Sequence, residues 1–276
     1  MQDKIIIEAG VKSKLTRFRE LYRYKDLLYF FVLRDITVLY KQTILGITWA
    51  IINPLFSCIL FTFIFGKLAD IPTDGIPYAV FSYTAMMPWV YFSGAANAST
   101  SSLIGARSIF TKVYFPRIIF PITPVISKLL DFFISFLMLF IIMFYYGMTP
   151  GWQMVYLPLL ILIMILSATS MGLWLSSLAL QYRDVRFAMT LFLQLLMYAA
   201  PVIFPASLII KKFGQTAYLL YGLYPMTGVI EGFRAAIVQT PMPWDLIGIS
   251  ASSAVILCWS GLQYFSSIER KFADIS

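Results

Sequence analysis

Ile118–Phe144 reads IIFPITPVISKLLDFFISFLMLFIIMF. It is apolar apart from Lys128 and Asp131, and it runs past the ~20 apolar residues that a membrane-crossing helix needs. Windows of the same kind flank it. Gln42–Gly66 and Gly75–Ala106 carry no charge. Phe132–Tyr182 carries none either, but Tyr145-Tyr146-Gly147-Met148-Thr149-Pro150-Gly151-Trp152 breaks it in the middle. Phe187–Ile210 and Leu246–Ile268 complete the set. These windows predict an all-α integral membrane fold of six transmembrane helices, near 44–66, 77–98, 119–145, 155–180, 187–204 and 246–267.

Composition agrees. The 276 residues are 60% hydrophobic and 12% charged, against ~25% charged in an average soluble domain. A water-soluble fold cannot hide that much apolar side chain, because it still needs a polar skin. Disordered and fibrous classes fall on the same grounds. The chain has no histidine, which removes His-based metal sites, His general bases and His-containing triads. Cys58 and Cys258 both sit in apolar runs, a poor setting for a structural disulfide.

The positive charges give the orientation. Lys and Arg crowd residues 1–41, the Arg107–Arg117 loop, Arg183 and Arg186, and Arg270-Lys271. The opposite side holds Lys67, Lys211, Lys212 and Arg234, with Lys128 inside the span. This bias predicts that both termini are cytoplasmic. The net charge of +8 is then topological, and no soluble basic domain is left to bind nucleic acid. Near the start, the apolar run Leu27–Leu33 ends at Arg34-Asp35 and not at a small-residue cleavage site, so a signal peptide is not expected. The expected division is a cytoplasmic segment over 1–41, a membrane domain over 42–268 and a cytoplasmic tail over 269–276.

Four places are not simple spans. Ser13–Asp35 places Leu15, Phe18, Tyr22, Leu28 and Tyr29 near helical spacing among Arg17, Arg19, Glu20, Arg23 and Lys25. That is the pattern of an amphipathic helix lying on the inner leaflet, either as an anchor or as a docking surface. The loop Ala106–Pro121 alternates cations with aromatics around Tyr114-Phe115-Pro116, a composition suited to a protein contact. The long outer connection, about 205–245, contains Pro225-Met226-Thr227-Gly228-Val229-Ile230-Glu231-Gly232-Phe233-Arg234-Ala235-Ala236-Ile237-Val238. Pro225 suits a first helical turn, and Val229, Phe233 and Ile237 repeat at i+4. This predicts a short helix within a re-entrant outer hairpin, the alternative being a helix lying on the outer leaflet. Lys128 and Asp131, at i,i+3, share a helix face and can pair. They are read as a neutralised structural pair or as an ion relay, and the lack of a chain of further carboxylates favours the pair.

No phosphate-binding loop is present: Gly66-Lys67 is followed by Leu68 and lacks the upstream glycine. Asp131, Asp184, Glu231 and Asp245 are scattered over both membrane faces, so no acidic pair suits glycosyl transfer, and no catalytic or metal-ligating set emerges. The positive signal is aromatic, at 17% of the chain. Trp49, Phe56 and Phe63 repeat every seven residues, with Asn53 one turn from Trp49. Thr190, Gln194 and Tyr198 repeat every four, with Phe187 one turn before. Aromatic plates in line with amides and hydroxyls suit a sliding sugar chain; helix packing and lipid-facing aromatics are the plainer account of such stripes.

Several blocks together resemble the permeases of type-2 ABC exporters, polysaccharide branch, which export O-antigens, capsules and teichoic acids. They are Arg34-Asp35 with Tyr40–Trp49 and Asn53-Pro54, then Lys112-Val113-Tyr114-Phe115-Pro116-Arg117, then Tyr182-Arg183-Asp184-Val185, then Pro201-Val202-Ile203-Phe204-Pro205, and Tyr224-Pro225-Met226 with Arg234 downstream. Tyr224 stands where the family more often has Asn before Pro. The resemblance implies a homodimeric permease that binds two copies of a separate ABC ATPase, which holds ATP and Mg, so that this chain carries no cofactor. It implies a polyprenyl-diphosphate-linked polysaccharide as cargo and a bacterial cytoplasmic membrane as location. Arg17, Arg19, Arg107, Lys112, Tyr114, Phe115, Arg117, Arg183 and Asp184 then become ATPase-coupling residues. Trp49, Asn53, Phe56, Phe63, Phe187, Thr190, Gln194 and Tyr198 become channel-lining, and Tyr224, Pro225, Glu231 and Arg234 an outer gate. The rival readings are a type-2 ABC exporter of a drug or small lipid, and a proton-coupled secondary transporter using Lys128–Asp131.

Overall fold

The structure is a computed structural model that describes residues 22–41, 46–105, 116–182 and 184–273. All regular structure among them is helical. α1 is Lys25–Lys41; a 3₁₀ turn at Gly46–Thr48 leads into α2, Trp49–Phe61, which continues as a π-helical turn over Thr62–Leu68. α3 is Tyr78–Gly105, α4 Ile119–Ser127, α5 Leu129–Tyr145, α6 Leu157–Gln181 and α7 Val185–Ala199. α8 is Ser207–Tyr221, α9 Pro225–Val238 and α10 Trp244–Ala273.

Among the described residues, four helical runs are long and apolar enough to cross a bilayer: Trp49–Leu68, Ile119–Tyr145, Trp152–Gln181 and Trp244–Glu269. These match four of the expected spans. The other two differ in an informative way. α7 is apolar but spans only 15 residues, because the chain turns at Ala200-Pro201. α3 spans 28 residues but is less apolar than the others, with Ser82, Thr84, Ser99 and Thr100 fully buried. Their hydroxyls are satisfied at short range. Thr84 donates to the Val80 carbonyl at 2.9 Å and Thr100 to that of Ala96 at 2.7 Å. Ser99 donates across to the Pro121 carbonyl at 2.8 Å. α3 can be polar because it is surrounded by protein: α2, α4, α5, α6, α7 and α9 all pack against it, and Val80, Phe81, Tyr83, Met87 and Tyr91 are buried along it.

The helix expected over 119–145 is divided at Lys128 into α4 and α5, although the Lys128 N–H still reaches the Pro124 carbonyl at 3.0 Å. The helix expected over 13–35 is described only from residue 22, and it runs on past Arg34-Asp35 to Lys41. Ile36, Val38 and Leu39 extend its apolar content, and Asp26 and Lys41 sit at the ends where the helix dipole favours their charges. α1 packs on α4 through buried Phe31, whose ring lies 5.2 Å from that of Phe120.

Pro54 inside α2 lacks the N–H that would bond the Ala50 carbonyl. The Ser135 hydroxyl of α5 takes that place, donating to Ala50 O at 2.7 Å. The sequence break in α2 is therefore repaired from another helix. We expect Ser135→Ala to cost about 1–3 kcal/mol, read as a lower melting temperature in detergent. The loss should shrink in a Pro54→Ala background, where the backbone N–H returns; equal losses in both backgrounds would refute this coupling.

Candidate functional site

Two clusters concentrate the polar groups. At the α1 end of the bundle, α2, α3 and the α4–α5 junction border a cavity of about 410 Å³. Trp49 and Asn53 line it from α2, Gly94 from α3, and Lys128 and Asp131 from the junction. Lys128 Nζ donates to Asp131 Oδ2 at 2.8 Å, so the expected i,i+3 pair is formed. Its side chains are 23% and 21% exposed, reachable from the cavity. The Lys128 stem lies over Gly94, where a Cβ would meet its Cδ and Cε at 3.9 and 4.0 Å.

The two stripes lie on the open surface of the chain. Trp49 is 45% exposed, Phe56 60% and Phe63 56%. Phe187 is 77% and Tyr198 55% exposed, with Asn53, Thr190 and Gln194 also exposed. Trp49 and Asn53 are brought to the ion pair. Phe187, Thr190, Gln194 and Tyr198 are not, since α7 packs on α3 and α6. Phe63 falls in the π turn over Thr62–Leu68, so the seven-residue register expected for α2 is broken just before it.

The second cluster is centred on α9, which follows α8 after the short link at residues 222–224. The helix expected at residues 225–238 matches α9. Pro225 occupies its first turn, preceded by Tyr224 in extended conformation (φ −79°, ψ 109°), as a residue before proline prefers. α9 packs against α3, α6 and α10, and all of it but Glu231 and Val238 is buried. It is an internal helix, enclosed by protein. α8 is its opposite, with no buried residue and with Phe213 and Leu220 largely exposed. Gly228 permits the docking: a Cβ there would sit 2.5 Å from Ser250 Oγ and 2.8 Å from the Leu246 carbonyl. Ser250 of α10 ties α9 to the link before it, accepting from the Gly228 N–H at 3.0 Å and donating to the Gly222 carbonyl at 2.9 Å.

Arg234 is the centre of this cluster and is only 3% exposed. It donates to Glu231 Oε1 at 2.6 Å and to the Pro201 carbonyl at 2.8 Å. Its guanidinium carbon lies 3.6 Å from the Phe81 ring centroid. Glu231 Oε1 also accepts the Ala206 N–H at 2.8 Å, and Tyr78 donates to the Ile203 carbonyl at 2.9 Å. The Pro201–Pro205 block is therefore held by its backbone, from α3 on one side and α9 on the other. Sequence reasoning named Glu231 and Arg234 but missed Phe81 and Tyr78. The signal was the Pro201–Pro205 block itself, whose bends expose carbonyls that need donors.

Of the residues expected to couple to an ATPase, Arg17, Arg19, Arg107, Lys112, Tyr114, Phe115 and Arg183 lie outside the described residues. The Arg117 carbonyl accepts from Phe120 N–H at 3.2 Å as α4 opens. Asp184 precedes α7, and its carbonyl accepts from Phe187 and Ala188 at 3.1 and 3.0 Å.

This order of elements, with a short internal helix between α7 and the last long helix, can be compared with known proteins. The pattern that defines ABC-2 type transporters matches residues 26–238. The chain belongs to the ABC-2 type transporter family. Within that family it is similar to the O-antigen export system permease protein RfbA of Myxococcus xanthus, 27% identical over 93% of this chain and 97% of the relative. A protein of the same name from Klebsiella pneumoniae is 28% identical over 91% of this chain and 95% of its own length. The polysialic acid transport protein KpsM of Escherichia coli is 23% identical over 75% of this chain and 79% of its own. An ABC-2 type transporter is a membrane-embedded family, not an enzyme family, and the buried Arg234 node and the cavity beside Trp49 both fall within the matched residues.

Proposed function

We propose that this chain is the permease subunit of an ATP-driven exporter that moves a lipid-linked, O-antigen-like polysaccharide out across the bacterial cytoplasmic membrane. The observation that carries this is the near end-to-end similarity to two O-antigen export permeases. In this reading two copies pair, each binds one ATPase subunit, and ATP and Mg sit on that subunit. The cargo is carried on a polyprenyl diphosphate. The six spans are α2 with its π turn, α3, α4 with α5, α6, α7 and α10, and both termini are cytoplasmic. α8 and α9 form the outer hairpin with Tyr224, Pro225, Glu231 and Arg234. At ~1.5 Å per residue α9 is too short to cross, and its enclosure by protein suits a re-entrant position, since helix ends at membrane depth need protein or water around them. α1 and the loop before α4 are the ATPase-facing surfaces.

The test is a chromosomal deletion. Polymer should accumulate on its lipid carrier inside the cell and vanish from the surface, and the full chain supplied in trans should restore it. Unchanged surface glycan would overturn the reading, and loss of a small lipid or of drug resistance instead would assign the chain to another branch of the family.

For the conduit, single cysteines at Phe56, Thr190 and Gln194, in a background lacking Cys58 and Cys258, should react with a membrane-impermeant thiol reagent during active export. A stalled polymer should protect them. Absence of labelling at all of them would place both stripes against lipid.

A further inference from the structure

We infer that the cavity bordered by Trp49, Asn53, Lys128 and Asp131 is a saccharide subsite that selects neutral hydroxyl-rich ligands over phosphate. This rests on the exporter reading and names one place where its cargo is held. The cavity volume of about 410 Å³ lies in the range of small-ligand sites, ~300–1,000 Å³. Its polar side is a charge pair in contact at 2.8 Å. That bond uses one of the three ammonium donors and one of the acceptor sites on the carboxylate, and both side chains remain partly exposed. Groups that border a cavity at this depth need partners for what is left, because unpaired polar groups away from water are costly.

The pair itself restricts which ligand can supply them. A phosphate accepting from one of the remaining Lys128 donors would stand beside the Asp131 carboxylate, and that like-charge juxtaposition is unfavourable. A hydrocarbon would leave both groups short of partners. Adjacent hydroxyls of a sugar ring can do what neither can: one accepts from Lys128 Nζ while its neighbour donates to Asp131. Trp49, about half exposed, offers an indole face to the C–H side of such a ring. Asn53, one turn along α2 and also on the cavity wall, offers an amide that both donates and accepts. Gly94 borders the cavity beside the Lys128 stem and adds no side chain to its wall. The ion pair is then more than a pin between α4 and α5, because it is the polar wall of a binding pocket.

The test uses the full-length chain in lipid nanodiscs. The probes are a short oligosaccharide hydrolysed from the cell's own surface glycan and inorganic diphosphate. The chain has six tryptophans, so the signal is the fluorescence difference between the wild type and Trp49→Phe. The oligosaccharide should change that signal saturably, and diphosphate should leave it flat. Asn53→Leu and the double change Lys128→Met/Asp131→Leu should each raise the half-saturating concentration about tenfold or more, a tenfold change being a ΔΔG of ~1.4 kcal/mol. Asn53 is exposed, so its variant reports on binding even if the double variant folds poorly. Saturation by diphosphate in place of the oligosaccharide, no response to either, or unaltered binding by Asn53→Leu would overturn the inference. Failure here with surface glycan still dependent on the chain removes the subsite alone; loss of that dependence removes the exporter reading.

Discussion

Arg234→Ala should be the most damaging single substitution in the molecule, abolishing export and lowering the melting temperature in detergent by about 10 °C. Its guanidinium is 3% exposed and holds Glu231, the Pro201 carbonyl and the Phe81 ring at once. Truncation leaves the Glu231 carboxylate largely buried, held in the node by the Ala206 N–H. Breaking a buried pair from one side costs about 3–5 kcal/mol, and in a chain of this size each kcal/mol moves the melting point by about 2–4 °C. Arg234→Lys keeps the charge but not the fork that serves two acceptors, so it should fall between. The double change Arg234→Met/Glu231→Leu should recover part of the stability, because no charge is stranded. A melting point equal to wild type for Arg234→Ala would remove the node from the account of the hairpin.

Asp131→Asn should reduce the yield of folded, detergent-stable protein more than the double change Lys128→Met/Asp131→Leu does. The single variant strands the Lys128 ammonium within a span, against a penalty of roughly 3–5 kcal/mol if fully buried, eased by the 23% exposure of that side chain. The double variant removes both charges and keeps apolar bulk. Gel filtration of the two, expressed side by side, measures this. If both assemble like wild type and both lose export equally while still binding oligosaccharide, the pair carries an ion and the structural reading is wrong. The saccharide inference adds a separate expectation: the double variant should assemble yet bind oligosaccharide poorly.

Much of the helix layout was legible because charge is costly in lipid, so uncharged windows mark crossing segments. α9 was legible to the residue, since Pro225 can open a helix but not continue one, and Val229, Phe233 and Ile237 lie along one side of it. The expected span over 77–98 fell short of α3, which continues to Gly105. Its serines and threonines read as a weakening of the apolar signal, whereas folding lets each hydroxyl return its bond to a carbonyl. The break at Lys128 and the π turn at Thr62 were not legible, because neither leaves a pattern in residue type. The long-range partners were invisible for a plainer reason. Nothing near Arg234 in the chain announces that Phe81 and the Pro201 carbonyl will meet it. Conversely, the eight stripe residues were read as one lumen, and folding brings Trp49 and Asn53 to the cavity beside the ion pair.

The hydroxyl-rich interior of α3 has a consequence for how the protein is made. Insertion machinery releases a segment sideways into lipid when its side chains favour hydrocarbon, and α3 is weakly qualified alone. Its serines and threonines are harmless once α4, α5 and α6 stand around it, but those helices are synthesised later. In the proposed topology α3 must therefore wait at the translocon or re-enter the bilayer as its neighbours arrive. Truncations ending soon after residue 105 should leave α3 extractable by alkaline carbonate, and chains extended through α6 should not.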